Sequence, residues 1–195
     1  CKHEHSLIES GDVWYHNWQG GGGYGDPSRR DPDAVALDVV RGAVSKISAV
    51  DIYGVVLLGN GQPDLNATTI RRQQIRRSRL DNSASFAAGD AIFHFLGDGV
   101  LEFGGTLHID SDADNVSCVY CKRSHCKPGD NLLTHLREVN SPLSVAGPVR
   151  GEDYDRGRFR LSQLICPVCG GLVDVEVVLE DAPRSLSKIW IESRI

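Results

Sequence analysis

The sequence predicts an α+β fold: a short strand–glycine loop–helix segment followed by a small β-rich module. Three observations lead there. Helix start and stop signals cluster in the first 80 residues, short apolar runs separated by turns dominate the stretch after residue 93, and two Cys-x-x-Cys pairs punctuate that second half. The stretch DNSASFAAGD (81–90) is small, polar and without periodicity. It divides the chain into a segment 1–80, a linker 81–92 and a module 93–195.

Composition narrows the class. With 195 residues, 41% of them hydrophobic, the chain can hold one ample domain or two small ones. No apolar run approaches the roughly 20 residues that span a bilayer, and CKHEHSLIESGD has no signal-peptide h-region. The expectation is a soluble, cytoplasmic protein with no membrane partner. The sequence has no Met and begins with Cys1, which reads as a piece of a longer polypeptide. A lipoprotein end or an N-terminal nucleophile are the rival explanations. A net charge of −5 argues against general nucleic-acid affinity. Residues 81–195 carry the acidic surplus, seventeen Asp/Glu against eleven Lys/Arg.

Residues 6–18 read as two strand pieces around a Ser10-Gly11-Asp12 turn, followed by QGGGGYGDP (19–27). Asp31 as N-cap, Pro32 at the first helical position and Gly42 as a stop define a helix. A shorter helix over 45–53 precedes Gly54 and a strand VVLL (55–58), and residues 65–79 form an arginine-rich helix. In the second half, strands are expected at 93–97, 100–104, 106–110 and 172–180, with a short helix NLLTHLREV (131–139) between the Cys pairs.

The strongest chemical signal is Cys118-x-x-Cys121 with Cys166-x-x-Cys169. Two tight turns each presenting two thiolates suit a tetrahedral Zn²⁺ and make the module zinc-ribbon-like. Pro167 and Gly170 make CPVCGG a good knuckle, whereas CVYCKRSHC lacks a glycine after Cys121 and offers His125 and Cys126 as rival ligands. Disulfides and a redox Cys-x-x-Cys are the alternatives to metal. Four protein thiolates leave no open position, so this zinc is expected to be structural.

The other candidates carry bland readings beside sharp ones. Arg71, Arg72, Arg76, Arg77 and Arg79 could be an anion patch or a solvated or subunit-contacting helix face, and the second is favoured without interleaved aromatics. His3-Glu4-His5 suggests metal but reads better as exposed residues, His16, His94, His108 and His135 form no pattern, and Asp110, Asp112 and Asp114 lack a calcium loop's downstream Gly and Glu. Gly20, Gly21, Gly22 and Gly23 are followed by neither GK[ST] nor an immediate helix, so a close-packed loop is preferred to a phosphate cradle. No catalytic residue and no cofactor-binding residue is assigned.

GDVWYHNWQGGGGYGDPSRRDPDAVALDVVRGAVSKISAVDIYGVVL (11–57) resembles the C-terminal end of the hydantoinase B/oxoprolinase family. Residues 93–192, with FRLSQLICPVCGGLVDVEVV (159–178), are similar to the zinc-binding gamma subunit of acetone and acetophenone carboxylases. The resemblance implies part of an ATP-dependent ketone carboxylase complex, with a structural zinc and an assembly role. ATP and any catalytic metal would sit on partners: a hydantoinase A-like ATP-binding subunit and a hydantoinase B-like subunit, in a hetero-oligomer. The alternatives are an ATP-dependent hydantoinase- or oxoprolinase-type amidohydrolase and a free-standing zinc-ribbon module that binds nucleic acid.

Overall fold

A computed structural model describes residues 9–12, 23–85, 89–90, 93–96, 100–103, 105–110, 114–127, 129–146, 157–180, 184–185 and 189–192. The expected strand pieces in 6–8 and 13–18, Gly20, Gly21 and Gly22 lie outside these residues, as do His3, His5, His16 and Asp112. The fold is α+β, as the sequence predicts.

Three helices come first. Helix α1 (Pro32–Val40) starts where Asp31 accepts the Asp33 N–H at 3.1 Å and Pro32 occupies the first turn. It ends at Gly42, whose φ of +75° needs no Cβ to be accommodated. Ser45 caps α2 (Lys46–Asp51) through the Ser48 N–H, and Asp64 caps α3 (Leu65–Asp81) through the Ala67 N–H. Val35, Ala49 and Val55 make a small core beneath α1 and α2.

The expected strand VVLL is only a single bridge between Leu57 and Pro63. Val55 N–H donates instead to Ala49 O, and Val56 N–H to the Thr68 hydroxyl on α3. Those backbone donors are taken by helices, and Pro63 has none to offer, so no ladder can extend.

Strands follow: β1 (Ala84–Ser85), β2 (Gly89–Asp90), β3 (Phe93–Leu96), β4 (Val100–Phe103), β5 (Leu107–Asp110), β6 (Asn115–Cys118), β7 (Ser124–Cys126), β8 (Arg137–Ser141), β9 (Phe159–Ile165), β10 (Leu172–Leu179), β11 (Arg184–Ser185) and β12 (Ile189–Glu192). They form two four-stranded antiparallel sheets, β4-β5-β6-β7 and β1-β8-β9-β10, and two parallel pairs, β2 with β11 and β3 with β12. Leu107 and Ile109 of β5, Val116 of β6, Leu164 of β9 and Val173 of β10 share one buried core with Leu132, Leu133 and Leu136.

The expected helix over 131–139 is a correction. A 3-10 turn, Leu132–His135, capped by Asn131, gives way to an extended Leu136 and then to β8. All three of its leucines are buried, and Val139 pairs with Gln163 of β9. Sheet pairing and core burial outweigh the local helical preference of this run. Strand β10 alternates as expected, yet its Val175, Val177 and Leu179 are exposed. A register irregularity between Leu172 and Asp174 sets the buried start of the strand apart from this outward stretch.

Candidate metal centre

Two turns of the same shape bring the cysteines together. Cys118 ends β6, its N–H donates to Arg123 O, and Lys122 N–H returns to Cys118 O at 2.9 Å. Cys166 follows β9, its N–H donates to Gly171 O, and Gly170 N–H returns to Cys166 O at 3.0 Å. Lys122 and Gly170, each directly after the second cysteine of its pair, both take left-handed backbone, with φ of +59° and +69°. The lysine therefore adopts the conformation that the missing glycine was expected to supply.

All four sulfurs of Cys118, Cys121, Cys166 and Cys169 lie within 4.8 Å of one another, and the cysteines are unbridged. Cys118 and Cys169 are separated by 3.6 Å, Cys121 and Cys166 by 3.8 Å. A tetrahedron of sulfurs at about 2.3 Å from a zinc has edges of about 3.8 Å. The donor set and its spacing fit Zn²⁺.

Protons are unevenly shared across the cluster. Thiol donation from Cys166 and Cys169 holds the Cys118 thiol well below its ordinary range. Cys118 in turn pushes Cys166 up to about 11 and raises Cys169. A bound divalent cation would favour the thiolate form of all four.

Of the two rival ligands, Cys126 stands apart from this cluster and His125 borders it. Cys126 is buried in the apolar core, where desolvation and the charge of Asp130 push its thiol up to about 11. His125 lies beside Cys118 and favours its thiolate, while its own Nε2 is buried without a hydrogen-bond partner among the described residues. Asp114 is ion-paired to Lys127 at 3.0 Å.

The end of the glycine loop meets the second knuckle. Asp26, its side chain fully buried, receives the Leu172 N–H at 3.0 Å and the Ser28 N–H at 2.9 Å. It also receives two N–H bonds from Arg79 of α3, at 2.8 and 3.2 Å, and Arg79 reaches Gly170 O at 3.3 Å. Burial works against the charge on Asp26, but the Arg79 guanidinium and these N–H groups hold its carboxyl below the ordinary range. On the first knuckle, the Tyr120 ring lies between the guanidiniums of Arg29 and Arg76, 5.7 and 5.3 Å from its centroid. Burial, followed by the charge of Asp26, raises the Tyr120 hydroxyl pKa.

The arginines of α3 are therefore not simply a solvated face, which corrects the reading preferred from sequence. Arg71 bonds Val50 O and Asp51, Arg72 bonds Tyr53 O and Arg30 O, and Arg79 holds Asp26. Only Arg77, paired with Asp81 one turn away, behaves as a surface residue should. Asp26 and Tyr120 were not singled out in the sequence, and Arg79 was noted only as one of the clustered arginines. The Asp-Pro-Ser run signals a local turn, and nothing in it reports a bond to residue 172.

No protein-family model matches the chain. Over 81 residues, 40% of this chain and 10% of the relative, it is 41% identical to the acetone carboxylase alpha subunit of Xanthobacter autotrophicus (strain ATCC BAA-1158 / Py2). Over 53 residues, 27% of this chain and 9% of the relative, it is 55% identical to the caprolactamase subunit beta of Pseudomonas jessenii. The chain spans about a tenth of the length of these curated relatives, and part of it is related to these two enzyme subunits.

Proposed function

We infer that this chain is part of an ATP-dependent carboxylase or amidohydrolase complex, in which it serves assembly rather than catalysis. The observation that carries the reading is the similarity to stretches of two enzyme subunits. The acetone carboxylase relative favours ketone carboxylation, with a hydantoinase A-like ATP-binding subunit and a hydantoinase B-like subunit as cytoplasmic partners. Cys118, Cys121, Cys166 and Cys169 hold a structural zinc. Its coordination is complete with four thiolates, so it stabilises the knuckles and takes no substrate. Residues 1–80 and 93–195 are the two working parts, joined through 81–92.

A second reading is favoured by the 55% identity to a caprolactamase subunit: ATP-dependent opening of a cyclic amide. Native mass spectrometry of the protein isolated from its source tests the assembly. The expected result is a large complex carrying zinc on this chain, with bicarbonate-dependent ATP turnover. ATP turnover driven by a lactam without bicarbonate selects the amidohydrolase. A lone, metal-free chain overturns both the assembly role and the zinc.

A further inference from the structure

Beside the glycine loop lies a cavity of about 430 Å³, bounded in part by Tyr24, Arg29, Arg30, Tyr53 and Gly105. Its size falls in the range of small-molecule pockets, roughly 300–1,000 Å³. Its walls are fixed from behind. Arg72 of α3 donates to Arg30 O at 2.5 Å and to Tyr53 O at 3.2 Å, and Arg79 locks Asp26. Gly105 has φ +65°, and a Cβ there would stand 3.4 Å from the Tyr24 ring and 3.8 Å from Arg29 Nη1. Glycine at this position lets both side chains lie across the turn.

The available charge in the cavity is positive. Asp26, the one carboxylate among its described lining residues, is consumed by Arg79, Leu172 N–H and Ser28 N–H. Arg30, itself exposed, is paired with the partly buried Asp38 at 2.6 Å. Arg29 has no carboxylate partner among the described residues, and its guanidinium rests against the Tyr120 ring. Tyr24 is 80% exposed, and its ring edge passes beside Gly105. A planar guanidinium near the exposed Tyr24 and the partly buried Tyr53 matches a planar ligand bearing a negative group.

We propose that this cavity binds a small planar organic anion, a carboxylate or a phosphoryl ester. Arg29 and Arg30 take its charge, and Tyr24 and Tyr53 flank its apolar body. The site goes beyond the assembly role, and no metal ligand is among its described lining residues.

Titration of the full chain with benzoate, phenyl phosphate and benzyl alcohol, followed by calorimetry, tests it. Saturable binding of an anion is expected, weakened about tenfold or more in Arg29→Gln by loss of a charge-assisted contact, with no binding of the alcohol. Saturation by benzoate alone assigns a carboxylate, by phenyl phosphate alone a phosphoryl group, and by both their shared chemistry. No saturation by either anion up to about 10 mM, equal binding of the alcohol, or unchanged binding in Arg29→Gln overturns the site. Arg29 also touches Tyr120, so Tyr24→Ala, which removes an exposed ring, decides the matter should Arg29→Gln lose its near-ultraviolet dichroism. Severalfold weaker binding in Tyr24→Ala then supports the site, and wild-type binding removes it.

Discussion

Residues 118–122 and 166–170 are two versions of one turn with different neighbours. Both return an N–H to the carbonyl of their first cysteine, and both place a left-handed residue after the second. At Lys122 the surroundings are open solvent. At Gly170, an added Cβ would fall on the carbonyl oxygen of Arg76, because α3 lies directly against the turn. At neighbouring Gly171 it would stand 2.5 Å from the Tyr120 ring. Glycine in this knuckle thus reports close packing as much as metal geometry. Its absence after Cys121 goes with an exposed position that takes the same left-handed backbone.

The largest effect should come from the feature the two turns share. Cys166→Ser is expected to lose stoichiometric zinc and, with it, much of a metal contribution that reaches about 10–16 kcal/mol in small zinc domains. Hydrogen exchange should rise across 159–173 and also at 23–30, because the loop is bonded to the knuckle through Leu172 and Gly170. Cys126→Ser should keep its metal, since Cys126 belongs to the apolar core. Zinc retained in Cys166→Ser, or lost in Cys126→Ser, would reassign the ligands.

Next in size is the contact that only the second turn makes. Asp26→Asn leaves the Arg79 guanidinium buried without its counter-charge and should cost about 3 kcal/mol by chemical denaturation. The folded pKa of Asp26 lies below its ordinary 3.8, so the carboxylate contributes stability that is present above that value. The gap between wild type and Asp26→Asn should hold steady from neutral pH down to about 5 and shrink as pH falls through and below 3.8. A gap that widens in acid would reverse the sign assigned to this group.

Gly170→Ala sharpens the comparison directly. Left-handed strain of about 1–2 kcal/mol adds to overpacking of about 1–3 kcal/mol, for a loss of roughly 3 kcal/mol. Lys122→Ala exchanges one left-handed side chain for another in the open and should stay within about 0.5 kcal/mol. Equal losses at the two positions would mean that α3 does not press on the second turn as the geometry indicates.

Much of this was legible in the sequence where the determinants are local. Asp31, Pro32 and Gly42 bound α1 because capping and chain stops are decided within a few residues. The four cysteines announce themselves by spacing, since each pair sits on its own tight turn. What could not be read depends on distant partners. Leu132, Leu133 and Leu136 are helix formers drawn into a sheet core, and the donors of Val55 and Val56 are captured by α2 and α3. Asp26 gives no sign that its carboxylate reaches a backbone N–H 146 residues away. The inward aim of Arg72 and Arg79 is likewise invisible in a polar, weakly periodic helix.

The smallest predicted change is also the most pointed. Lys122 holds a left-handed conformation that costs an ordinary residue about 1–2 kcal/mol. Glycine would relieve that strain while making the unfolded chain freer, an opposing effect of about 0.4–1 kcal/mol. Lys122→Gly should therefore stabilise the protein by up to about 1 kcal/mol, read as a rise in urea midpoint at fixed zinc with an unchanged slope. Lys122 is exposed, so little packing is forfeited. A fall in midpoint would show that the lysine itself supports the turn, and the two knuckles would then differ in more than their packing.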